Sequence, residues 1–174
     1  MNLPNKLTVL RIIMVPFFIA AYMEKWFFVA FALFIVASLT DMLDGKIARA
    51  RNLVTNFGKI MDPLADKILV YSALCLFVEN GTIPGWTLII ILAREFVVSG
   101  MRTVATSEGI VIAAAMSGKI KTVLQMVAVI ILIIAVGPVP QLKTIGMLVF
   151  CASLVMTVYS GTEYVLKNKS VFSM

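Results

Sequence analysis

"TDMLDGKIARARNLVTNFGKIMDPLADK", residues 40–67, sets four aspartates against the ends of two apolar runs. A helix rises 1.5 Å per residue, so about 20 residues cross the hydrocarbon of a bilayer. Counting forward from Trp26 reaches Gly45, and counting back from Glu79 reaches Ile60. Asp41 and Asp44 thus fall in the last turns of one span, and Asp62 and Asp66 in the first turns of the next. All four sit at one depth. Each pair, at i, i+3 and i, i+4, occupies one helix face, and the short connection makes the two helices antiparallel neighbours. Asp62 before Pro63 reads as a helix start, with proline at the first helical position.

The rest of the chain has the same character. Of its 174 residues, 61% are hydrophobic and only 14% charged, with a mean hydropathy of +1.02. Soluble domains carry about 25% charged residues, so this is an integral membrane protein. Breaks at charge, Gly or Pro leave spans at 7–22, 26–45, 62–79, 85–103, 119–136 and 142–164. The expectation is an all-α bundle of about six transmembrane helices forming one domain over 1–174. Arg11 interrupts the first run, which excludes a signal peptide there. Only Lys25 and Lys143 lie near the outer ends if the N-terminus is inside. The positive-inside rule therefore puts both termini in the cytoplasm, in a multi-pass cell-membrane protein whose acidic cluster faces the cytoplasm. The net charge of +6 then favours anionic lipids and polyanionic substrates. Cys75 and Cys151 stand alone in apolar runs and match no metal spacing.

A membrane-embedded aspartate costs about 2.5–3.5 kcal/mol at a helix centre, and mutual repulsion adds to that. Divalent cations resolve the problem. Histidine is absent, and oxygen-only ligands select hard ions, Mg²⁺ or Mn²⁺ before Ca²⁺. Four carboxylates are enough for two divalent cations. Gly45 and Gly58 lack side chains where a ligand could approach backbone, and Ala48 keeps the face after Asp44 open. Arg49 supplies a fork suited to a diphosphate. Small residues also serve helix packing, but beside the acids and Arg49 they read as a binding site.

The pattern Asp41-x-x-Asp44-Gly45-x-x-Ala48-Arg49, then Gly58-x-x-x-Asp62-x-x-x-Asp66, resembles the signature of the CDP-alcohol phosphotransferases at every defined position. The resemblance implies transfer of a substituted phosphoryl group from a CDP-linked donor to an alcohol, with release of CMP. It implies a binuclear metal site held by Asp41, Asp44, Asp62 and Asp66, with Asp66 also the general base, and a homodimer. Asp44, Gly45, Ala48, Arg49 and Gly58 would bind the CDP donor.

Acceptor choice must come from elsewhere. Arg94 and Arg102 lie on nearly one face of the fourth span, while Lys119 and Lys121 open the fifth near the depth of the acids. One reading is a structural Arg94–Glu95 pair; the other is a cationic pocket for an acceptor that itself carries phosphate. Asn5 and Thr8, spaced with Arg11 at i, i+3 and i+6, are further candidates for the acceptor-phosphate site, or else an interfacial segment. The Pro-Asn-x-Leu-Thr-x-x-Arg, Arg-Glu-Phe-x-x-Ser-x-x-Arg and Gly-Lys-x-Lys-Thr segments resemble the family's glycerol-3-phosphate branch. That branch implies CDP-diacylglycerol as donor and glycerol-3-phosphate as acceptor, among membrane lipids and with no nucleic acid. A phosphatidylinositol-phosphate synthase is the alternative within the family. A divalent-cation transporter is the alternative outside it, disfavoured because transporter sites lie near the midplane.

Overall fold

The computed structural model describes residues 3–50, 56–110, 112–113 and 115–169, and the side chains of 3, 4, 41–50, 56–60, 62 and 63 lie outside that description. Among the described residues the chain is helical, without strands. The helices are α1 (Leu3–Met23), α2 (Phe27–Ala50), α3 (Asn56–Glu79), α4 (Gly85–Ser107), α5 (Met116–Val136) and α6 (Lys143–Lys167), with a 3-10 turn at Pro140–Leu142 before α6. Each expected span corresponds to one helix. Asn5–Met23, Met116–Val136 and Pro140–Lys167 are long and apolar enough to cross a membrane.

One expected boundary moves. α3 begins at Asn56, so Asp62 and Pro63 lie inside the helix rather than at its start. Pro63 cannot donate to the carbonyl four residues earlier. Close to a membrane margin, water can satisfy that carbonyl, and the helix continues through. α2 likewise runs six residues past Asp44. The acids therefore sit within two helices, not at their tips.

The helices divide into two compact units, the first comprising 1–82 with 129–143 and the second 83–128 with 144–174. In the first, α1 packs against both α2 and α3, which also touch each other. The buried stripe of α1 reads Asn5, Thr8, Arg11, Val15, Phe18, Tyr22, stepping by three or four residues. Its first half is polar and its second apolar. Phe18 stacks at a tilt on Phe34 with ring centroids 5.7 Å apart, and Tyr22 meets Phe27 and Phe77 edge-on at 5.5 and 6.0 Å. Edge-to-face aromatic pairs of this kind add about 0.5–1.5 kcal/mol each beyond their buried area.

The turn after α1 is closed by Trp26 N–H donating to Ala21 O at 2.8 Å, with Lys25 in the left-handed region at φ 62°. The end of α3 is capped similarly. Gly81 has φ 72°, and Thr82 N–H donates to Phe77 O at 2.8 Å. Asn80 then ties this cap to α1, its Nδ2 donating to the Tyr22 hydroxyl at 2.6 Å. These contacts line a cavity of about 460 Å³ between the ends of α1, α3 and α5.

In the second unit the buried face of α4 is Thr87, Ile91, Val98, Met101 and Ala105, and α6 presents Gly146, Phe150, Ser153, Thr157, Ser160 and Tyr164. The α6 stripe alternates steps of four and three, the 3.5-residue seam of left-handed helix packing. Its hydroxyls satisfy themselves: Ser153 donates to Phe150 O, Thr157 to Ser153 O and Ser160 to Thr157 O. Small residues then let neighbouring backbones approach closely without an unmet polar group.

Gly137, just past α5, shows how tight the first unit is. A Cβ there would overlap the Phe27 ring and stand 2.9 Å from Phe27 Cβ, too near the backbone for rotation of the ring to relieve it. Gly137→Ala is expected to destabilise the protein by about 1–3 kcal/mol, the usual cost of overpacking. Thermal unfolding in detergent measures it, and Phe27→Ala in the same chain should recover part of the loss.

Candidate active site

The acidic positions belong wholly to the first unit. α2 carries Asp41, Asp44, Gly45, Ala48 and Arg49, and α3 carries Gly58, Asp62 and Asp66. The side chains of all of these except Asp66 lie outside the described residues; Asp66 is half-buried. α2 and α3 pack on each other and on α1, so one helix trio carries both acid pairs.

A contact on α1 sets the level of this site. Arg11 is fully buried, and its Nε donates to the Ala37 carbonyl of α2 at 3.3 Å. Ala37 precedes Asp41 by one helical turn. Because α1 and α2 run antiparallel through a three-residue turn, moving back from Arg11 to Thr8 and Asn5 means moving forward along α2 toward Asp41 and Asp44. Asn5 and Thr8, both buried, are therefore level with the first acid pair. A guanidinium withdrawn completely from solvent requires anionic or hydrogen-bonding company, and a helix trio bearing four aspartates is suitable company.

The second unit holds the remaining candidates. Arg94 lies on the buried stripe of α4, and its Nη1 reaches Glu95 Oε1 at 2.8 Å. Lys121 of α5, 4% exposed, donates to that same oxygen at 2.8 Å. The two cations thus lie within twice that distance of each other, where like charges repel by about 3 kcal/mol at an effective dielectric near 20. The shared carboxylate offsets this. Arg94 Nη2 also donates to Ser160 Oγ of α6 at 3.1 Å. Glycines make the seat: a Cβ on Gly118 would stand 3.1 Å from Arg94 Nη2, and one on Gly161 2.9 Å from Arg94 Cγ. Beside Arg94 runs a groove of about 380 Å³ between α4 and α6, with apolar walls.

Arg102 and Lys119 are placed apart from that cluster. Arg102 is exposed, with its Nε on the Tyr164 hydroxyl at 3.3 Å and its guanidinium carbon 5.6 Å from the Tyr164 ring centre. Lys119 is exposed, two residues from Lys121 and so on a different side of α5. Near the α5 start, Ser117 donates to Glu163 of α6, which also receives Lys167 Nζ at 2.6 Å.

The sequence motifs include Glu95 and Gly118 but give neither a contact on another helix, and Ser160 and Gly161 fall in no motif. The available signal was the three-and-four spacing of small and hydroxyl residues along α6, which marks a buried polar face. The free cysteines, Cys75 and Cys151, are both exposed on helix surfaces.

With this geometry established, the chain can be compared with known proteins. A family model described as CDP-alcohol phosphatidyltransferase matches residues 1–159. A CDP-diacylglycerol–glycerol-3-phosphate 3-phosphatidyltransferase of Bacillus subtilis is 41% identical, with 96% of this chain and 95% of that protein covered. Proteins of the same name from Rickettsia felis and Shigella flexneri are 35% and 36% identical, covering 98% and 94% of this chain and 97% and 92% of their own lengths.

Arg11→Ala would remove a fully buried cation and leave the Ala37 carbonyl without its cross-helix donor. Stability is expected to fall by about 1–3 kcal/mol, the cost of leaving a buried acceptor without its donor. Unfolding in detergent, followed by circular dichroism, measures it; an unchanged melting curve would remove Arg11 as the lock between α1 and α2.

Proposed function

The chain belongs to the CDP-alcohol phosphatidyltransferase family, and from that premise we propose that it transfers the phosphatidyl group of CDP-diacylglycerol to glycerol-3-phosphate, giving phosphatidylglycerophosphate and CMP. The observation that carries this reading is the near-full-length similarity to proteins named for that reaction, at up to 41% identity. The two acid pairs on adjoining helices of one unit agree with it.

The donor set fits hard divalent cations: carboxylates on packed helices, with buried Asn5 and Thr8 at the same level and no histidine in the chain. Asp41, Asp44, Asp62 and Asp66 would hold two ions, Mg²⁺ or Mn²⁺. When bound, such ions neutralise charge on the diphosphate and favour in-line displacement. Gly45, Ala48, Arg49 and Gly58 bind the CDP end of the donor. Arg94, Arg102, Lys119 and Lys121 would recognise the acceptor phosphate, and Asn5 and Thr8 are candidates for the same role. Asp66 accepts the proton of the primary hydroxyl of glycerol-3-phosphate. The oxygen so freed bonds to the phosphorus bearing diacylglycerol, and the bond from that phosphorus to the CMP oxygen breaks. The exposed apolar residues Phe28, Ile89, Phe96 and Leu148 suit contact with acyl chains. Basic residues concentrate at the helix ends that carry the acids, which supports an active site on the cytoplasmic side of the cell membrane. The family resemblance supports a homodimer.

Purified protein in detergent, given Mg²⁺ or Mn²⁺ and CDP-diacylglycerol, is expected to release CMP only when glycerol-3-phosphate is added. Inositol phosphate and serine serve as competing acceptors, and release with either alone would replace the acceptor. Asp66→Asn should lower turnover by about 10²–10⁴-fold while CDP-diacylglycerol still binds; full activity would eliminate Asp66 as base.

Topology has its own test. In a chain carrying Cys75→Ala and Cys151→Ala, a membrane-impermeant maleimide should label Lys25→Cys on intact cells and Lys169→Cys only after lysis. The opposite pattern would invert the orientation.

A further inference from the structure

We propose that Glu95 is a positioning residue for acceptor recognition, holding Arg94 and Lys121 in the arrangement that receives the acceptor's phosphate. This deepens the reading above and rests on it. The argument begins with a single atom. Glu95 Oε1 accepts from Arg94 Nη1 and from Lys121 Nζ, each at 2.8 Å, and the carboxylate and guanidinium side chains are 13% exposed. Two cations brought this close would otherwise be driven apart. An acid beside an anion-binding pair looks unfavourable until its geometry is considered: one oxygen divided between two cations leaves Arg94 with N–H groups that Glu95 does not take, since guanidinium has five.

Arg94 is fixed from the other helices as well. Its Nη2 is held by Ser160 of α6, and Gly118 of α5 and Gly161 of α6 give up the volume that its side chain occupies. Its Nε is buried and has no hydrogen-bond partner among the described residues. A guanidinium seated from three helices, with its Nε donor left over, is preorganised for an oxyanion such as phosphate. Glu95 supplies the link that makes Lys121 part of the same unit.

The test uses steady-state CMP release by the full-length protein, varying glycerol-3-phosphate and CDP-diacylglycerol separately. Glu95→Gln keeps the shape and removes the charge. The acceptor KM is expected to rise about tenfold or more, with the donor KM within about twofold and kcat lowered less than about threefold. In a Lys121→Met chain, Glu95→Gln should add less than it does alone, because part of its effect runs through that lysine. Gly161→Ala, which crowds Arg94 without touching a charge, should also raise the acceptor KM selectively. It carries the test if Glu95→Gln does not fold.

A lower acceptor KM in Glu95→Gln would overturn the proposal, showing that the carboxylate opposes the phosphate. Equal losses in both KM values and kcat alongside a lower melting temperature would also overturn it, leaving Glu95 a structural ion pair. A raised acceptor KM in Lys121→Met with none in Glu95→Gln would sink Glu95 alone. Release by the unaltered protein that ignores glycerol-3-phosphate would sink the acceptor reading and Glu95 with it.

Discussion

A charge placed among lipid-facing helices must arrive with partners, and this requirement organises both units of the protein. In the first, a guanidinium wholly removed from solvent reaches across from α1 to the Ala37 carbonyl of α2. That contact aligns the polar half of the α1 stripe with the acid-bearing turns of α2. In the second, a carboxylate oxygen joins cations from α4 and α5. The buried polar contacts therefore do two things at once. They satisfy groups that hydrocarbon would penalise, and they set the helix registers on which the candidate site depends.

Apolar packing completes the arrangement by different means in each unit. Around α1, bulky rings interlock: Phe18, Tyr22, Phe34 and Phe77 fill the half of the trio remote from the acids. Along α6, small hydroxyl residues turn their donors back onto their own helix, so its buried face behaves as if apolar while staying narrow. That narrowness is what admits Arg94 beside Gly161. A wide, ring-filled seam there would leave the guanidinium no seat.

Much of this is legible in the sequence alone. Runs of about 20 apolar residues specify helices without ambiguity, because a lipid environment leaves the backbone few other ways to satisfy its hydrogen bonds. The six spans followed from that. The start of α3 did not, since Pro63 signals a boundary in isolation and only its surroundings decide whether a missing donor matters. The placement of the acids and their flanking glycines on two adjoining helices was readable because their spacing is local to those helices. The role of Glu95 was not, because adjacency to Arg94 suggested a simple pair and the decisive contact comes from Lys121, 26 residues along the chain. Pairings across helices leave little trace in local spacing. Gly161 was silent, and Gly118 showed no packing role, for the same reason: each matters for what its missing Cβ makes room for on another helix.

The Arg11–Ala37 contact has a consequence for biogenesis. The acceptor lies 26 residues downstream of the donor, on the far side of the turn at Glu24–Trp26. During synthesis α1 emerges first, carrying a cation whose partner on α2 does not yet exist. The α1–α2 hairpin is thus the smallest segment that holds both ends of this contact. The hydroxyls on the buried stripe of α6 need no second helix, because they find acceptors within their own.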